Sequence, residues 1–327
     1  MKFTDETSIQ DGGMIISVVA TLYRSERYVK EFCERASAAA AALTNHFQII
    51  LVNDGSPDRS LELAKECADR LGNILVIDLS RNFGHHHAMM AGIRHATGQY
   101  VFLIDSDLEE EPEWLLQFYP MLSGQGCDVV YGVQASRRGG VLARVSGRLY
   151  YHVFRALTGL PIPVNLVTAR LMTRRYVDAL LCFREREMDI AALWLSAGFE
   201  QQACPVVKHD TSPTTYTLTR KIDLLIDSIT SFSIRPLLII FYLGMLLALT
   251  AGSLITYLLA IRLLLDVPLE GWTSLMVSIW LIGGLIISFI GIIGIYLAKV
   301  FSETKQRPTA IVRAIYPAAT DLLERRP

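Results

Sequence analysis

Two stretches of this chain stay free of charge for longer than a bilayer core is thick. Residues 237–261 read LLIIFYLGMLLALTAGSLITYLLAI, and residues 271–298 read GWTSLMVSIWLIGGLIISFIGIIGIYLA. Each exceeds the ~20 apolar residues that a helix needs to cross the hydrocarbon. A helix of a soluble core keeps a polar side, and neither stretch has one. The expectation is two transmembrane helices, 237–261 and 272–298, joined by a short loop at 262–271. Arg220, Lys221 and Arg235 precede the first, and Lys299, Lys305, Arg307 and Arg313 follow the second. The connection RLLLDVPLE sets one arginine against Asp266 and Glu270. By the positive-inside rule both termini of this multi-pass inner or plasma membrane protein lie in the cytoplasm and the loop lies outside.

The rest of the chain is ordinary in composition. A net charge of −1 leaves no electrostatic footprint for nucleic acid, so no such partner is expected. The five cysteines are scattered without a C-x-x-C pair, which fits reduced cytoplasmic thiols and neither a disulfide frame nor a zinc site. Residues 1–13 form a polar tail without the apolar run of a signal peptide. Just before the first span, Leu218, Ile222, Leu225, Ile226, Ile229 and Phe232 recur at helical spacing, opposite Arg220, Lys221, Asp223 and Asp227. That stripe predicts an amphipathic helix over 211–236, lying in the membrane interface.

Residues 14–210 alternate strand and helix signals: MIISVVA, FQIILVND, NILVIDLS and YVFLIDSD are strand-like, with helical segments between them. Such alternation predicts an α/β domain with a mostly parallel sheet, whose ligands bind outside the carboxyl ends of the strands. The polar groups that end these strands are Asn53-Asp54-Gly55, Arg81-Asn82 and Asp105-Ser106-Asp107. A solvated rim explains any one of them, but the three together favour a nucleotide site. No G-x-G-x-x-G follows the first strand and no G-x-x-x-x-G-K-[ST] occurs, so neither a Rossmann dehydrogenase nor a P-loop enzyme is supported. Without a glycine-rich phosphate cradle, a diphosphate needs a metal. Asp105 and Asp107 reach one rim if the strand geometry breaks at Ser106, and their hard oxygens suit Mg²⁺ or Mn²⁺. Glu109 to Glu113 read as a helix start, with Pro112 in the first turn and acids favoured by the helix dipole. His85-His86-His87 read likewise, since consecutive histidines on a helix point apart and do not share a metal.

In order, VVATLYRSERYV, ILVNDGSPDRS, SRNFG, AGIRHATGQYVFLIDSDLEEEPE and SFSIRPL resemble the family-2 glycosyltransferases of the GT-A, Rossmann-like fold. Within them the chain resembles the polyprenyl-phosphate glycosyltransferases, the group of dolichyl-phosphate mannose synthase and the bactoprenol glucosyltransferases. The resemblance runs over about residues 14 to 313. It implies an inverting enzyme that moves a hexose from a UDP- or GDP-sugar, UDP-glucose foremost, to a polyprenyl phosphate such as undecaprenyl phosphate. The product would be a lipid-linked sugar for envelope glycans, and the enzyme a homo-oligomer.

The resemblance also implies roles. Asp105 and Asp107 hold the metal, and with Arg137 and Arg138 form the catalytic set. Glu26, Asp54, Arg81, Asn82 and Ser106 bind the nucleotide sugar, while Arg137, Arg138, Ser146 and Arg170 receive the lipid phosphate. The chain departs from the family at Glu109, usually Gln, and at Thr168-Ala169, usually Asp-Phe. It departs again at His209, often Arg, and at Thr214-Thr215-Tyr216, where relatives carry Ser-x-Tyr. A lipid phosphate, with a second pKa of about 6 by analogy with phosphoserine, is already anionic near neutral pH. It attacks an anomeric carbon without a strong general base, so positioning and charge stabilisation carry the rate.

Three other readings are weaker. A processive polysaccharide synthase of the same fold resembles a Q-x-x-R-W pattern, which none of Trp114, Trp194, Trp272 or Trp280 sits in. An inert membrane scaffold does not need Asp54, Asp105, Asp107, Arg137 and Arg138. A transporter lacks a path, because two spans without an intramembrane charge offer none.

Overall fold

The computed structural model describes residues 16–134, 157, 165–186, 190–209, 233–265 and 271–317. Arg137, Arg138, Ser146, Thr214-Thr215-Tyr216 and residues 211–232 of the expected interfacial helix lie outside them. Four parallel strands make the centre: β1 (Ile16–Leu22), β2 (Phe47–Asn53), β3 (Ile74–Leu79) and β4 (Tyr100–Leu103). All seven residues of β1 are buried, as a two-sided parallel strand requires, and that is why, Ser17 apart, it reads as an apolar and β-branched run. The strands are linked by α1 (Val29–Ala41), α2 (Ser60–Leu71) and α3 (His85–His95), and α4 (Trp114–Gln125) follows β4. Phe32 of α1, Ala64 of α2 and Phe118 of α4 join one core with Val18, Ile49 and Leu51, while α3 packs on β1 and β2.

Beyond β4 the sheet turns mixed. β5 (Val129–Gln134) and β6 (Leu166–Thr173) pair antiparallel, β6 runs antiparallel to β4, and β7 (Gln201–Val206) lies parallel to β5. Two short helices, α5 (Arg174–Leu180) and α6 (Ile190–Ser196), separate β6 from β7. Among the described residues the sheet has eight strands, in the order β7-β5-β6-β4-β1-β2-β3-β8. This is the mostly parallel α/β arrangement of the GT-A fold that the sequence predicts.

The eighth strand corrects the sequence reading, which leaves 299–327 as a tail. β8 (Val312–Tyr316) pairs antiparallel with β3, so residues beyond the last long helix belong to the same unit as the sheet. Lys65 of α2 covers the Tyr316 ring, its Nζ 3.7 Å from the centroid.

The other unit carries two long helices, α7 (Arg235–Leu265) and α8 (Trp272–Thr304). Both run past the uncharged stretches from which they were predicted. At 1.5 Å per residue each is about 45–50 Å long, more than the ~30 Å of a bilayer core. Among the described residues of Arg235–Leu254 and Ser278–Thr304 none is buried inside the protein, unlike those of a soluble core helix. Tyr296 of α8 donates its hydroxyl to the Ser233 carbonyl just ahead of α7, at 2.7 Å.

Candidate active site

The carboxyl ends of β1 to β4 bring four loops to one rim of the sheet, and the start of β6 meets them because β6 is antiparallel to β4. The loop after β2 and the turn after β3 touch closely. Gly55 has φ +59, and a Cβ there would lie 2.5 Å from backbone atoms of both Arg81 and Asn82. Asp54, buried at 2% exposure, accepts the Phe83 N–H at 2.7 Å and the Gly84 N–H at 3.0 Å. Those bonds set the turn from which α3 starts at His85, where the sequence reading puts a helix start. Glu26 is exposed on the loop after β1 and accepts the Arg59 N–H at 3.2 Å, ahead of α2. Arg81 and Asn82 are exposed at the rim, and the Arg81 guanidinium lies over the Phe83 ring at 4.1 Å.

β4 ends at Leu103, so strand alternation stops before the acidic triplet, as the sequence reading requires. Ser106 is buried and donates its hydroxyl to the Thr21 carbonyl at 2.7 Å, anchoring the triplet to the end of β1. That inward hydroxyl anchors its two acidic neighbours. Asp107 Oδ1 accepts the Glu109 N–H at 3.0 Å, and Leu108 between them takes a left-handed φ of 59°.

Asp105 is held from two sides. Its Oδ2 accepts the Thr168 hydroxyl at 2.8 Å. Its Oδ1 lies 3.1 Å from His85 Nε2 but makes no aligned hydrogen bond, leaving a buried carboxylate oxygen with coordination capacity to spare. His85 Nδ1 in turn reaches Thr21 Oγ1 at 3.0 Å. Burial works against charge on the imidazole, but Asp105, with Asp54 and Asp107 behind it, outweighs that and raises its pKa. The His85 side chain is half exposed, so water screens part of this attraction. Burial likewise works against the Asp105 carboxylate, yet His85 and Thr168 hold its pKa below the usual range. Burial and the charge of Asp105 raise that of Asp107.

Glu110 is fully buried behind the triplet. Its two oxygens accept the Thr168 N–H at 2.9 Å and the Ala169 N–H at 2.8 Å, fixing the start of β6 against the acidic loop. Burial, then the charge of Asp105, pushes its pKa up to about 8. Lys208 sits 3.2 Å from Glu109 and 3.8 Å from Glu110, and these acids raise its pKa against the cost of burial. His209 pairs with Glu111 at 2.7 Å. Glu110 and Lys208 carry no motif signal, since each takes its meaning from partners far away in sequence.

Arg170 also departs from expectation. It lies on β6 at 1% exposure, its guanidinium against the Trp194 ring, and burial lowers its pKa to about 9. In this structure its guanidinium lies inside the domain rather than at the exposed rim.

Among the described residues no three His, Cys, Asp or Glu side chains are arranged to hold a metal by themselves. Asp105, with its spare oxygen, and Asp107 beside it form the kind of site in which one or two carboxylates share Mg²⁺ or Mn²⁺ with substrate phosphates and water.

The sequence profile of glycosyl transferase family 2 matches residues 17–181. A Mycobacterium tuberculosis protein named only as a glycosyltransferase is 48% identical over 314 residues, covering 96% of this chain and 91% of its own. "Uncharacterized glycosyltransferase YkcC" of Bacillus subtilis is 31% identical over 92% of this chain and 94% of its own. The undecaprenyl-phosphate 4-deoxy-4-formamido-L-arabinose transferase of Pseudomonas paraeruginosa is 30% identical over 94% of this chain and 92% of its own. With its acidic triplet on the rim of a mostly parallel sheet and relatives of this kind along nearly its whole length, the chain belongs to glycosyltransferase family 2.

Proposed function

We propose that the protein is a membrane-bound inverting glycosyltransferase that moves a hexose from a UDP- or GDP-sugar to a polyprenyl phosphate. The observation that supports this reading is the Asp105-Ser106-Asp107 loop after β4, in which Thr168 and His85 hold Asp105 while the serine anchors inward. The relative that acts on undecaprenyl phosphate supports the lipid acceptor. Asp105 and Asp107 would hold Mg²⁺ or Mn²⁺, which neutralises the departing nucleotide diphosphate. His85 and Thr168 keep Asp105 ionised and in place. Asp54 and Gly55 shape the turn carrying Arg81 and Asn82 at the nucleotide side. Arg137, Arg138 and Ser146 are assigned to the lipid phosphate from the resemblance, since a planar guanidinium grips phosphate oxygens bidentately.

Antiparallel pairing of β8 with β3 supports a hairpin of two spans. Residues before α7 and after α8 share one sheet, so they lie on one side of any membrane that the helices cross. The flanking positive charges support a cytoplasmic position for that side.

The test is nucleotide diphosphate release by the full-length protein in detergent with Mg²⁺ or Mn²⁺. A panel of UDP- and GDP-sugars, beginning with UDP-glucose, is offered with and without undecaprenyl phosphate. Release that needs one sugar nucleotide and the lipid, and that disappears in Asp107→Ala, is the expected outcome. Release without a lipid requirement would overturn the acceptor assignment.

A further inference from the structure

Arg313 lies in β8, beyond both long helices, yet its side chain is wired to the nucleotide side of the rim. Its Nε and a terminal nitrogen donate to the two oxygens of Asp78 at 2.8 Å and 3.1 Å. The pairing of β3 with β8 shifts here: Asp78 faces Ala314, but Leu79 faces Val312. Arg313 is therefore the extra residue of a β-bulge, the device by which a strand re-aims one side chain.

Asp78 is 2% exposed, and among the described residues Arg313 is its one salt-bridge partner. A buried carboxylate without a cation is costly. Asp78 passes the constraint on, because its Oδ1 also accepts the side-chain amide of Asn53, its register partner on β2, at 2.8 Å.

Asn53, 1% exposed, is the last residue of β2 and immediately precedes Asp54. Its own side-chain oxygen accepts the Ser56 N–H at 3.4 Å. Ser56 accepts the Arg24 N–H at 2.7 Å and donates to Asp58 at 2.6 Å. Arg313, Asp78, Asn53 and Ser56 thus form a hydrogen-bonded line to the loops after β1 and β2. Asp54, in the middle of it, fixes the turn after β3.

We propose that Arg313 is a positioning residue for the nucleotide-sugar half of the site, acting through Asp78 on Asn53 and the loop that carries Asp54. The proposal rests on the donor-site reading above. Arg313 touches no reacting atom; it holds the loop in register from the far edge of the sheet. Its side chain is 56% exposed, so replacing it opens no cavity in the core.

The experiment compares full-length wild type with Arg313→Met and Arg313→Lys. KM is measured separately for sugar nucleotide and lipid, and amide hydrogen exchange is followed in the protein without ligand. The Met variant is expected to raise the donor KM by about tenfold, within the range of couplings across a shared network, and to leave the lipid KM unchanged. Exchange should quicken at residues 53–58 and 83–84 but not in β4 or β6. Arg313→Lys should recover most of the loss. A lowered thermal midpoint with both KM values intact and exchange raised evenly would show a structural role only, and would overturn the proposal. If Arg313→Met does not fold, Asp78→Asn is read the same way. If wild type neither binds nor turns over any sugar nucleotide, the donor reading fails on its own. The exchange comparison then still decides, as a change confined to 53–58 and 83–84 supports positioning and no change there overturns it.

Discussion

The Thr168 hydroxyl donates a 2.8 Å hydrogen bond to Asp105 across 63 positions of sequence. The resemblance leads one to expect an aspartate at 168, and a carboxylate there would face Asp105 with like charge unless a cation separated them. Threonine replaces that repulsion with a donor. Because Glu110 binds the backbone N–H groups of Thr168 and Ala169, the donor sits on a fixed strand start rather than a free loop.

Thr168→Val keeps the volume and removes the hydroxyl, leaving Asp105 Oδ2 without its donor. A buried acceptor stripped of its partner costs about 1–3 kcal/mol. The expected result is a lower thermal midpoint and a fall in kcat larger than any change in lipid KM, with Thr168→Ser restoring both. Turnover and melting unchanged in the Val variant would show that Asp105 does not depend on this bond.

Gly55→Ala should damage fold and donor binding together. The new methyl meets the Arg81 and Asn82 backbone at 2.5 Å, and φ +59 is unfavourable for alanine. Neither neighbour is a flexible side-chain tip that swings away. Calorimetry should show a lower melting temperature, and titration with nucleotide diphosphate a weaker Kd. A variant that melts and binds like wild type would disprove the close approach.

Acid should weaken the junction of α1 with α4. Arg35 donates to both oxygens of Glu113 at 2.9 Å and 2.7 Å, and holds that carboxyl below its ordinary pKa of 4.5. A depressed acid stabilises the fold above its unfolded pKa, and the contribution is lost as pH falls through the folded value. Both side chains are partly exposed, so the effect is at most about 1 kcal/mol. Glu113→Gln should therefore lower stability slightly near pH 7 and flatten the decline below pH 4.5, as followed by urea unfolding at several pH values. Parallel pH curves for the two proteins would remove the pair from the account.

The central strands were legible because parallel strands buried on both faces are written as continuous apolar runs. The end of β4 before the acidic triplet was legible because polar residues interrupt such a run where it leaves the core. What sequence did not reveal was the direction in which polar side chains turn. Asp54 and Ser106 follow the carboxyl ends of β2 and β4, yet Asp54 binds two backbone N–H groups and the Ser106 hydroxyl points inward. Arg170 matched a motif position by residue type, whereas burial depends on β6 pairing with β4 and on Trp194, none of which is local. β8 escaped notice for the same reason. Five residues of alternating character gain meaning only from a partner strand about 235 positions earlier, the separation of Arg313 from Asp78.

Order of synthesis gives that last strand a further consequence. The ribosome completes β3 long before β8, and both apolar helices emerge in between. Throughout that interval β3 offers an open row of N–H and C=O groups, the template on which other chains pair and aggregate. The closing strand is made only after both long apolar helices. A chain that stops short of β8 keeps that edge bare and open to pairing with other chains.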